Sequence, residues 1–422
     1  MSRLPIAIIG GGLAGLTCAL KLAEDGKEVH LFEAAPELGG RTKSFYDKQM
    51  NSWVDNGPHL LIGAYGATQR LLDVIGAADR ITWQPSLRLP LWDQSRSHFS
   101  LSPKAWLPFP VALPLALAQM PGHGFESIQG MLRVARGMKK PSATNVASWL
   151  TDMCISRRLQ TDMIEPLCLG AMNASLDKAD SETFARVLRQ AFANHRSARL
   201  GWFNRPLRQA LIEPIEQKLE RLGVLIFKST TIRRIEQHEH DCILHGGGGN
   251  GVTRYAKAVI ALPAYARNRL LDIRKEVQTA AITNVHLWFK EPVSLPQPLI
   301  GMIGTYSQWF FDVSAQMGRG EYSHICAVIS AESPGDRGHT LQQVMNDLGN
   351  MLKVELPDLV YSKIVCEQRA TVLTNSSNQH FSAGTLLDAS EAPRSGELPS
   401  TIESAVLRGE DAAKRLYFQP VG

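Results

Sequence analysis

The feature that most constrains this chain is a glycine cluster near its start, Gly10-Gly11-Gly12-Leu13-Ala14-Gly15. It follows a short continuous apolar run, Leu4 to Ile9, that reads as a buried strand. Leu13, Leu16, Leu20 and Ala23 then fall at helical spacing, and Gly26 marks the stop. Glu28 to Phe32 reads as a second strand, ending at Glu33. In a β-α-β unit of this kind Gly10 permits the tight turn, and Gly12 lets the backbone approach a diphosphate. Gly15 lets the helix lie close to the strand. The helix start presents amides without intrahelical partners, equivalent to about half a positive charge, to the phosphates. Glu33 is 18 residues after Gly15, where an acid accepts from ribose hydroxyls and disfavours a 2′-phosphate. The constellation predicts a dinucleotide-binding α/β domain.

One such domain does not use up 422 residues, and about 150 residues per domain suggests two or three. Charge is nearly balanced, 45 Lys and Arg against 40 Asp and Glu, with no run of like charges, so nucleic acid is not an expected partner. The six cysteines, Cys18, Cys154, Cys168, Cys242, Cys326 and Cys366, form no C-x-x-C pair or zinc spacing. Free thiols in a reducing cytoplasm are the expectation, and no metal site is expected. Neither H-E-x-x-H nor G-x-S-x-G occurs, and His238 and His240 beside Glu239 read as solvated. Ile6 to Gly15 lacks the charged start and cleavage site of a signal peptide.

Further along, Ala105 to Met120 is the most apolar stretch, but it is too short to span a bilayer. Pro108, Pro110 and Pro114 are expected to break any long helix there. It reads either as an irregular segment packed on a core, or as a lip dipping into a membrane surface with Trp106 and Phe109 as anchors. Asn145 to Asn194 is helical in pattern, and Val224 to Ile235 reads as a strand. Gly246 to Gly249 reads as a hairpin loop, with a phosphate cradle as the competing reading. Lys257 to Leu262, Ile282 to Phe289, Trp309 to Val313, His324 to Ser330 and Ser362 to Leu373 are strand-like, and Leu341 to Leu352 is helix-like. Trp309, Phe310 and Phe311 are either core or the wall of an apolar tunnel.

Glu33-Ala34-Ala35 leads into Leu38-Gly39-Gly40-Arg41, an acid followed closely by Gly-Gly-Arg. Here the chain resembles the amine oxidase and phytoene desaturase superfamily of flavoproteins. Asp55-Asn56-Gly57-Pro58-His59 and Glu165-Pro166-Leu167-Cys168-Leu169-Gly170-Ala171-Met172-Asn173 resemble segments of the hydroxysqualene dehydroxylases within it. Ile282 to Leu287 and Val365 to Thr371 are similar to two more. The resemblance implies a Rossmann-like FAD-binding domain interrupted by an α+β substrate domain. The FAD-binding domain is expected over 1–65, 205–270 and 375–422, and the substrate domain over 66–204 and 271–374. It also implies FAD as cofactor, held by Gly10, Gly12, Leu13, Ala14, Gly15, Glu33, Ala34, Gly40, Arg41, Gly57, Pro58, His59, Ile232, Asp388, Thr401 and Ile402.

Near the C-terminus Leu387-Asp388 stands where the family has Gly-Asp, and Ser404 where it has glycine. Ser400 and Glu403 have the spacing of a capping box, and the helix they start either aims its amides at the flavin or is an ordinary capped surface helix. His59 is either a core histidine or a proton donor beside the flavin ring. Glu165 is either a pocket acid or a helix-end charge, and Arg369 either an ion-pair partner or a site residue. The implied activity is reductive removal of the hydroxyl of hydroxysqualene, a long-chain isoprenoid, to give squalene. The alternatives are another flavoenzyme of the superfamily, a carotenoid desaturase or an amine oxidase, or a protein that binds prenyl lipids without catalysis. The expected location is cytoplasmic, peripheral at the inner face of the membrane, with contact through 105–120.

Overall fold

The computed structural model describes residues 4–246, 252–318, 320–374 and 382–418. β1 (Ile6–Ile9) lies at the centre of a parallel sheet, between β2 (Val29–Phe32) and the strand Lys257–Ile260. Leu225–Phe227 extends the sheet beyond β2, and Leu386–Asp388 extends it on the other side. The short Ser382–Ala383 closes that edge antiparallel. The central strands are predominantly apolar, as strands buried on both faces of a parallel sheet must be, with polar exceptions such as the half-buried His30 and the buried Asp388.

One face is covered by α1 (Leu13–Glu24), whose Leu16, Cys18, Leu20 and Leu22 are wholly buried. The helix Ile402–Phe418 packs along α1. Their contact is backbone-close at Gly409, where a Cβ would come within 2.4 Å of the Ala14 carbonyl oxygen. The other face is covered by an antiparallel sheet of Ile232–Gln237, Cys242–Gly246 and Val252–Tyr255. Cys242, Leu244 and Tyr255 from it join Ala7, Ile9 and Ile260 in one core.

A second, seven-stranded sheet runs in the order Leu359–Val372, Thr279–Phe289, Ser323–Ser330, Trp309–Asp312, Leu299–Met302, Leu89–Asp93, Ser97–Leu101. Its pairs are antiparallel except between Leu299–Met302 and Leu89–Asp93. Alternation sets its two faces. Val285, Leu287, Phe289, Ile325 and Ala327 pack with Val344, Leu348 and Met351 of the helix Arg337–Leu352. Asn284, His286 and Trp288 point the other way, towards a two-stranded ribbon of β3 (Ser44–Asp47) and β4 (Ser52–Asp55).

Several expectations are revised. The stretch 224–235 is two strands in two sheets. The chain turns between them because Thr230 N–H donates to the Glu33 carbonyl at 2.8 Å and Ser229 N–H to that of Ala35 at 3.0 Å. Ser229 takes φ +52° to do so. The helical stretch 145–194 is split into Val146–Asp152, a run from Arg157 to Met172 with a wider turn at Gln160–Ile164, and Ser181–Ala191, with Asn145, Ser156 and Asp180 as side-chain caps. Most of Ala105–Met120 is not irregular: α3 (Phe109–Ala118) forms there. Pro110 sits in its first turn, where no amide bond is needed. Pro114 forfeits one bond, and burial of Ala112, Leu113, Ala116 and Leu117 outweighs the loss. Phe109 is buried against Phe192 and His195, so it is no membrane anchor, whereas Trp106 is exposed. Trp309, Phe310 and Phe311 lie in two cores. Beyond Gly246, the glycine run lies outside the described residues.

Gly409→Ala should push the two packed helices apart and lower stability by about 1–3 kcal/mol, read as a lower urea midpoint with an unchanged slope.

Candidate active site

The carboxyl end of β1 opens into the glycine turn. Gly10 takes φ +111°, and a Cβ on Gly15 would sit 1.9 Å from the Gly10 carbonyl oxygen, so both positions exclude side chains. Gly39 and Gly40, both at positive φ, bring the second glycine pair against the first. Gly39 N–H donates to Gly11 O at 2.8 Å, and Gly12 bridges to Gly39. Gly12 itself borders open space: a Cβ there would meet nothing within 4 Å. Bare backbone facing a cleft at a helix start is what a diphosphate requires.

Glu33 is already oriented at this turn, accepting from Gly11 N–H at 2.7 Å and Ala35 N–H at 2.8 Å. The turn at Ser229–Thr230 ties Ile232 to the same place, beside the exposed Ala34. Leu13 and Ala14 are buried in the first turn of α1.

Arg41 reaches across to the second sheet. Its guanidinium donates to the Ala370 carbonyl at 2.7 Å and to Glu391 Oε1 at 3.0 Å, with a second contact to Glu391 Oε2. Burial would lower the Arg41 pKa, but the Glu391 carboxylate reverses this and raises it. Burial pushes Glu391 up, and Arg41 and Arg408 outweigh it and hold Glu391 below the usual range. Sequence reasoning missed Glu391. Asp388, the acid expected here, ends the strand Leu386–Asp388 with its carboxylate on Arg267 at 2.7 Å and on the Ser390 amide at 2.9 Å. Three residues on, in Ala389-Ser390-Glu391, stands the carboxylate that meets Arg41. The one available signal was a second acid just past the strand. Arg369 lies over the Tyr265 ring at 4.6 Å.

Asp55 begins the segment that leads to His59. Burial pushes its carboxyl up to about 7, against the pull of Ser44 Oγ and Leu207 N–H. Asn284 Nδ2 donates to the Asn56 carbonyl at 2.8 Å, and a Cβ on Gly57 would land 2.5 Å from that nitrogen, so only glycine fits. Pro58 follows, and His59 Nδ1 lies 2.9 Å from the Gly57 carbonyl. A carbonyl only accepts, so Nδ1 carries the hydrogen and Nε2 the lone pair. Burial lowers the His59 pKa, and the Gly57 bond partly opposes this.

The four segments singled out in the sequence come together here. Asn284 holds Asn56, and Asn173 knits the others. In left-handed conformation (φ +49°), Asn173 donates to the Ala281 carbonyl at 3.2 Å and to Thr371 Oγ1 at 3.0 Å, and accepts from Ala331 N–H at 2.7 Å. Glu165, half-buried, continues a helical run that starts at Arg157 and passes through the wider turn Gln160–Ile164, so it is not a helix-end charge.

The expected Ser400–Glu403 capping box does not form. The box is one residue later: Ser404 N–H donates to Thr401 Oγ1 at 3.2 Å, and Thr401 N–H to Ser404 Oγ at 3.0 Å. Ser400 Oγ instead pairs with the Val372 backbone. Glu403 is released to accept from Ala67 N–H, Thr68 N–H and Thr68 Oγ1 at 2.7–2.9 Å, at the start of α2 (Gly66–Val74). Thr401 and Ile402 thus open the helix that packs on α1.

Next to the Asp55–His59 segment lies a buried histidine pair, His286 Nδ1 and His324 Nε2 at 3.0 Å, with Trp288 stacked on His324. Burial lowers the His286 pKa to about 4, and nearby Lys363 adds to this against Asp47 and the Asp55 carbonyl. Burial and His286 together depress His324 well below its ordinary value.

A parallel sheet with a glycine turn, an oriented acid at the end of β2, and a second β-rich unit closing over the turn defines a dinucleotide-dependent oxidoreductase fold. The chain belongs to the flavin containing amine oxidoreductase family, whose profile matches residues 13–416. It is 25% identical to a hydroxysqualene dehydroxylase of Zymomonas mobilis over 96% of this chain and 97% of the relative. It is 22% identical to a 15-cis-phytoene desaturase of Narcissus pseudonarcissus, over 68% of this chain and 54% of that protein. Cyclohexylamine oxidase from Brevibacterium oxydans shares the fold, with TM-score 0.70, 15% identity, and 98% and 99% of the two chains covered. The architecture is a Rossmann-like FAD-binding region with a separate β-rich substrate-binding domain, that of an FAD-dependent oxidoreductase. No helix among the described residues is long and apolar enough to cross a membrane.

The histidine pair generates a pH prediction. Unfolded, each ring takes up a proton near pH 6.5; folded, His286 does so only near pH 4. The unfolded chain binds more protons in that window, so the contribution is present above 6.5 and lost as pH falls. Asp55 has the opposite sign, its contribution falling as pH rises from 3.8 to about 7. His286→Asn should therefore shrink the acid-side loss of urea stability between pH 6.5 and 4, by up to about 3 kcal/mol.

Proposed function

We propose that this chain removes the hydroxyl of hydroxysqualene, or a closely similar allylic isoprenoid alcohol, and replaces it with hydrogen. The observation that carries the reading is the end-to-end similarity to a hydroxysqualene dehydroxylase, 97% of the relative against 54% of the phytoene desaturase. The meeting of the subfamily segments at Asn173 and Asn284 supports it.

The residues fit FAD. The Gly10–Gly15 turn with Leu13 and Ala14 would hold the diphosphate, and Glu33 the ribose, with Ala34 and Ile232 beside the adenosine. Gly40 and Arg41 would close the cleft from the second glycine pair. Gly57, Pro58 and His59 would face the ring, as would Thr401 and Ile402 at the helix start. Asp388, bonded to Arg267 at the strand end, would stand beside the cofactor, with Glu391 holding Arg41. Reduced FAD supplies a hydride. Exchange of hydroxyl for hydrogen consumes that hydride and one proton and releases water, so the chain must deliver a proton to the leaving oxygen and keep bulk water away. We assign the delivery to His59 through Nε2, with Glu165 as the second candidate acid. Burial keeps His59 neutral at pH 7, so its loaded form gains population as pH falls.

A thirty-carbon substrate favours lipid by about 0.8 kcal/mol per CH₂, which supports a peripheral position on the cytoplasmic face of a membrane, with contact in the 105–120 segment. All six cysteines are free, in keeping with a reducing compartment.

Anaerobic, chemically reduced protein mixed with hydroxysqualene should yield squalene, identified by mass, as the flavin absorbance returns. No squalene from a fully flavinated, reduced preparation, or a desaturated product formed by the oxidised protein, would overturn the assignment. The wild-type rate should rise as pH is lowered below 6.5, and His59→Gln should lose that rise and about 10²–10⁴-fold in rate. Glu391→Ala should leave Arg41 with one partner fewer and lower the flavin content of the purified protein.

A further inference from the structure

Two surface helices that the chemistry above does not use, with the turn before the first, carry a concentration of exposed apolar side chains. Trp106 is 76% exposed and Phe125 72%, with Val111, Leu115 and Leu132 between 40% and 48%. Val111 and Leu115 lie four apart on α3. Phe125 and Leu132 lie seven apart on α4 (Phe125–Gly137), so each pair marks one outward stripe. The opposite stripes are buried, and the two helices pack on each other. The pair stands on a fixed base. The buried Asp162 accepts from Arg96 at 2.9 Å and pairs with His123 Nε2 at 2.8 Å, while His123 Nδ1 meets Ser127 Oγ at 2.9 Å. The turn between the helices is tied as well, Arg158 donating to the Gly122 carbonyl at 2.9 Å. The apolar tips are therefore held out by structure. Soluble monomers rarely keep such a patch without a partner for it.

The charge along this stretch is mostly positive. Between residues 104 and 158 there are seven Lys and Arg and two acids, Glu126 and Asp152. Lys104 lies 5.9 Å from the Trp106 ring, and Arg136, Lys139 and Lys140 are exposed at the end of α4. Exposed aromatic tips, with one cation beside Trp106 and others at the end of α4, complement a bilayer with anionic headgroups: the rings enter the interface while the cations meet phosphates.

We propose that α3 and α4 together form a docking face for an anionic lipid bilayer, with Trp106 and Phe125 inserted and Lys104, Arg136, Lys139 and Lys140 on the headgroups. This deepens the functional reading by naming the surface from which an apolar substrate is taken. It adds α4 and its exposed cations to the 105–120 segment, and it stands on the surface alone.

The test is flotation of the full chain with phosphatidylcholine vesicles and with vesicles that also contain phosphatidylglycerol. The wild type should float with the mixed vesicles, less with the neutral ones, and less again as salt is raised. W106A/F125A should lower partition about tenfold or more on both. K139E/K140E should remove the preference for mixed vesicles, at about fivefold per cation lost. Unchanged circular dichroism shows that the surface variants are folded. The proposal is overturned if the wild type floats with neither vesicle, floats equally with both at low salt, or floats as well after either double substitution. A concentration-dependent dimer abolished by W106A/F125A, without vesicle binding, would assign the face to a second copy instead. Flotation needs no turnover, so a failed squalene assay leaves this result standing.

Discussion

The whole arrangement depends on how closely backbone approaches backbone around the first glycine turn. Gly15 touches the Gly10 carbonyl, Gly39 donates to Gly11, and Gly409 lies on the Ala14 carbonyl. Three separated parts of the chain thus converge within van der Waals distance of one helix start. Only Gly12 faces outward into space. A methyl group at any of the closed positions would open a gap between elements, while the open one keeps the helix amides within reach of an anion. The shape of the cleft follows from where side chains are missing.

Above that turn, the two units are joined by polar contacts. Arg41 spans from the glycine pair to Ala370 and Glu391, Asn284 holds Asn56, and Lys363 holds Asp47 at 2.6 Å. Apolar contact alone would bind the ribbon to the sheet in many registers. Directional bonds to buried partners permit few, because a slip leaves a desolvated donor or acceptor unpaired, at about 1–3 kcal/mol each. The interface thereby sets where Gly57 and His59 stand relative to the cleft. It also explains the polar face of a strand whose other face, Val285, Leu287 and Phe289, is wholly buried core. The neutral histidine pair belongs to this layer, and its burial makes the same contact sensitive to acid.

Much of this was legible in the residues. The β1–α1–β2 unit is local: its period, its glycines and its closing acid lie within about thirty residues, and short-range sterics suffice to read them. What lay outside local reach was partner choice. The spacing of Ser400 and Glu403 satisfies a capping box as well as that of Thr401 and Ser404 does. The second prevails because Glu403 is needed at the start of α2, more than 330 residues away. Asp388 and Glu391 are equally acidic, and Arg267, on a helix distant in sequence, takes the first and leaves the second to Arg41. The strand pattern over 224–235 hid a sheet change imposed by backbone bonds to Glu33 and Ala35. Pro114 broke no helix, because burial of one face of α3 exceeds the loss of one hydrogen bond.

The sequence by itself determined the dinucleotide turn, the acid that closes it and the glycines that bare it, since each acts through the conformation of its own few residues. It also marked Asp55–His59, Glu165–Asn173, Ile282–Leu287 and Val365–Thr371 as segments of one kind of protein. Only the tertiary structure decided that these segments meet, which carboxylate faces Arg41, and which face of α3 and α4 is left to solvent. Those outcomes are competitions among groups far apart in the chain for the same buried partners, and such a competition is resolved only when the partners are brought within bonding distance.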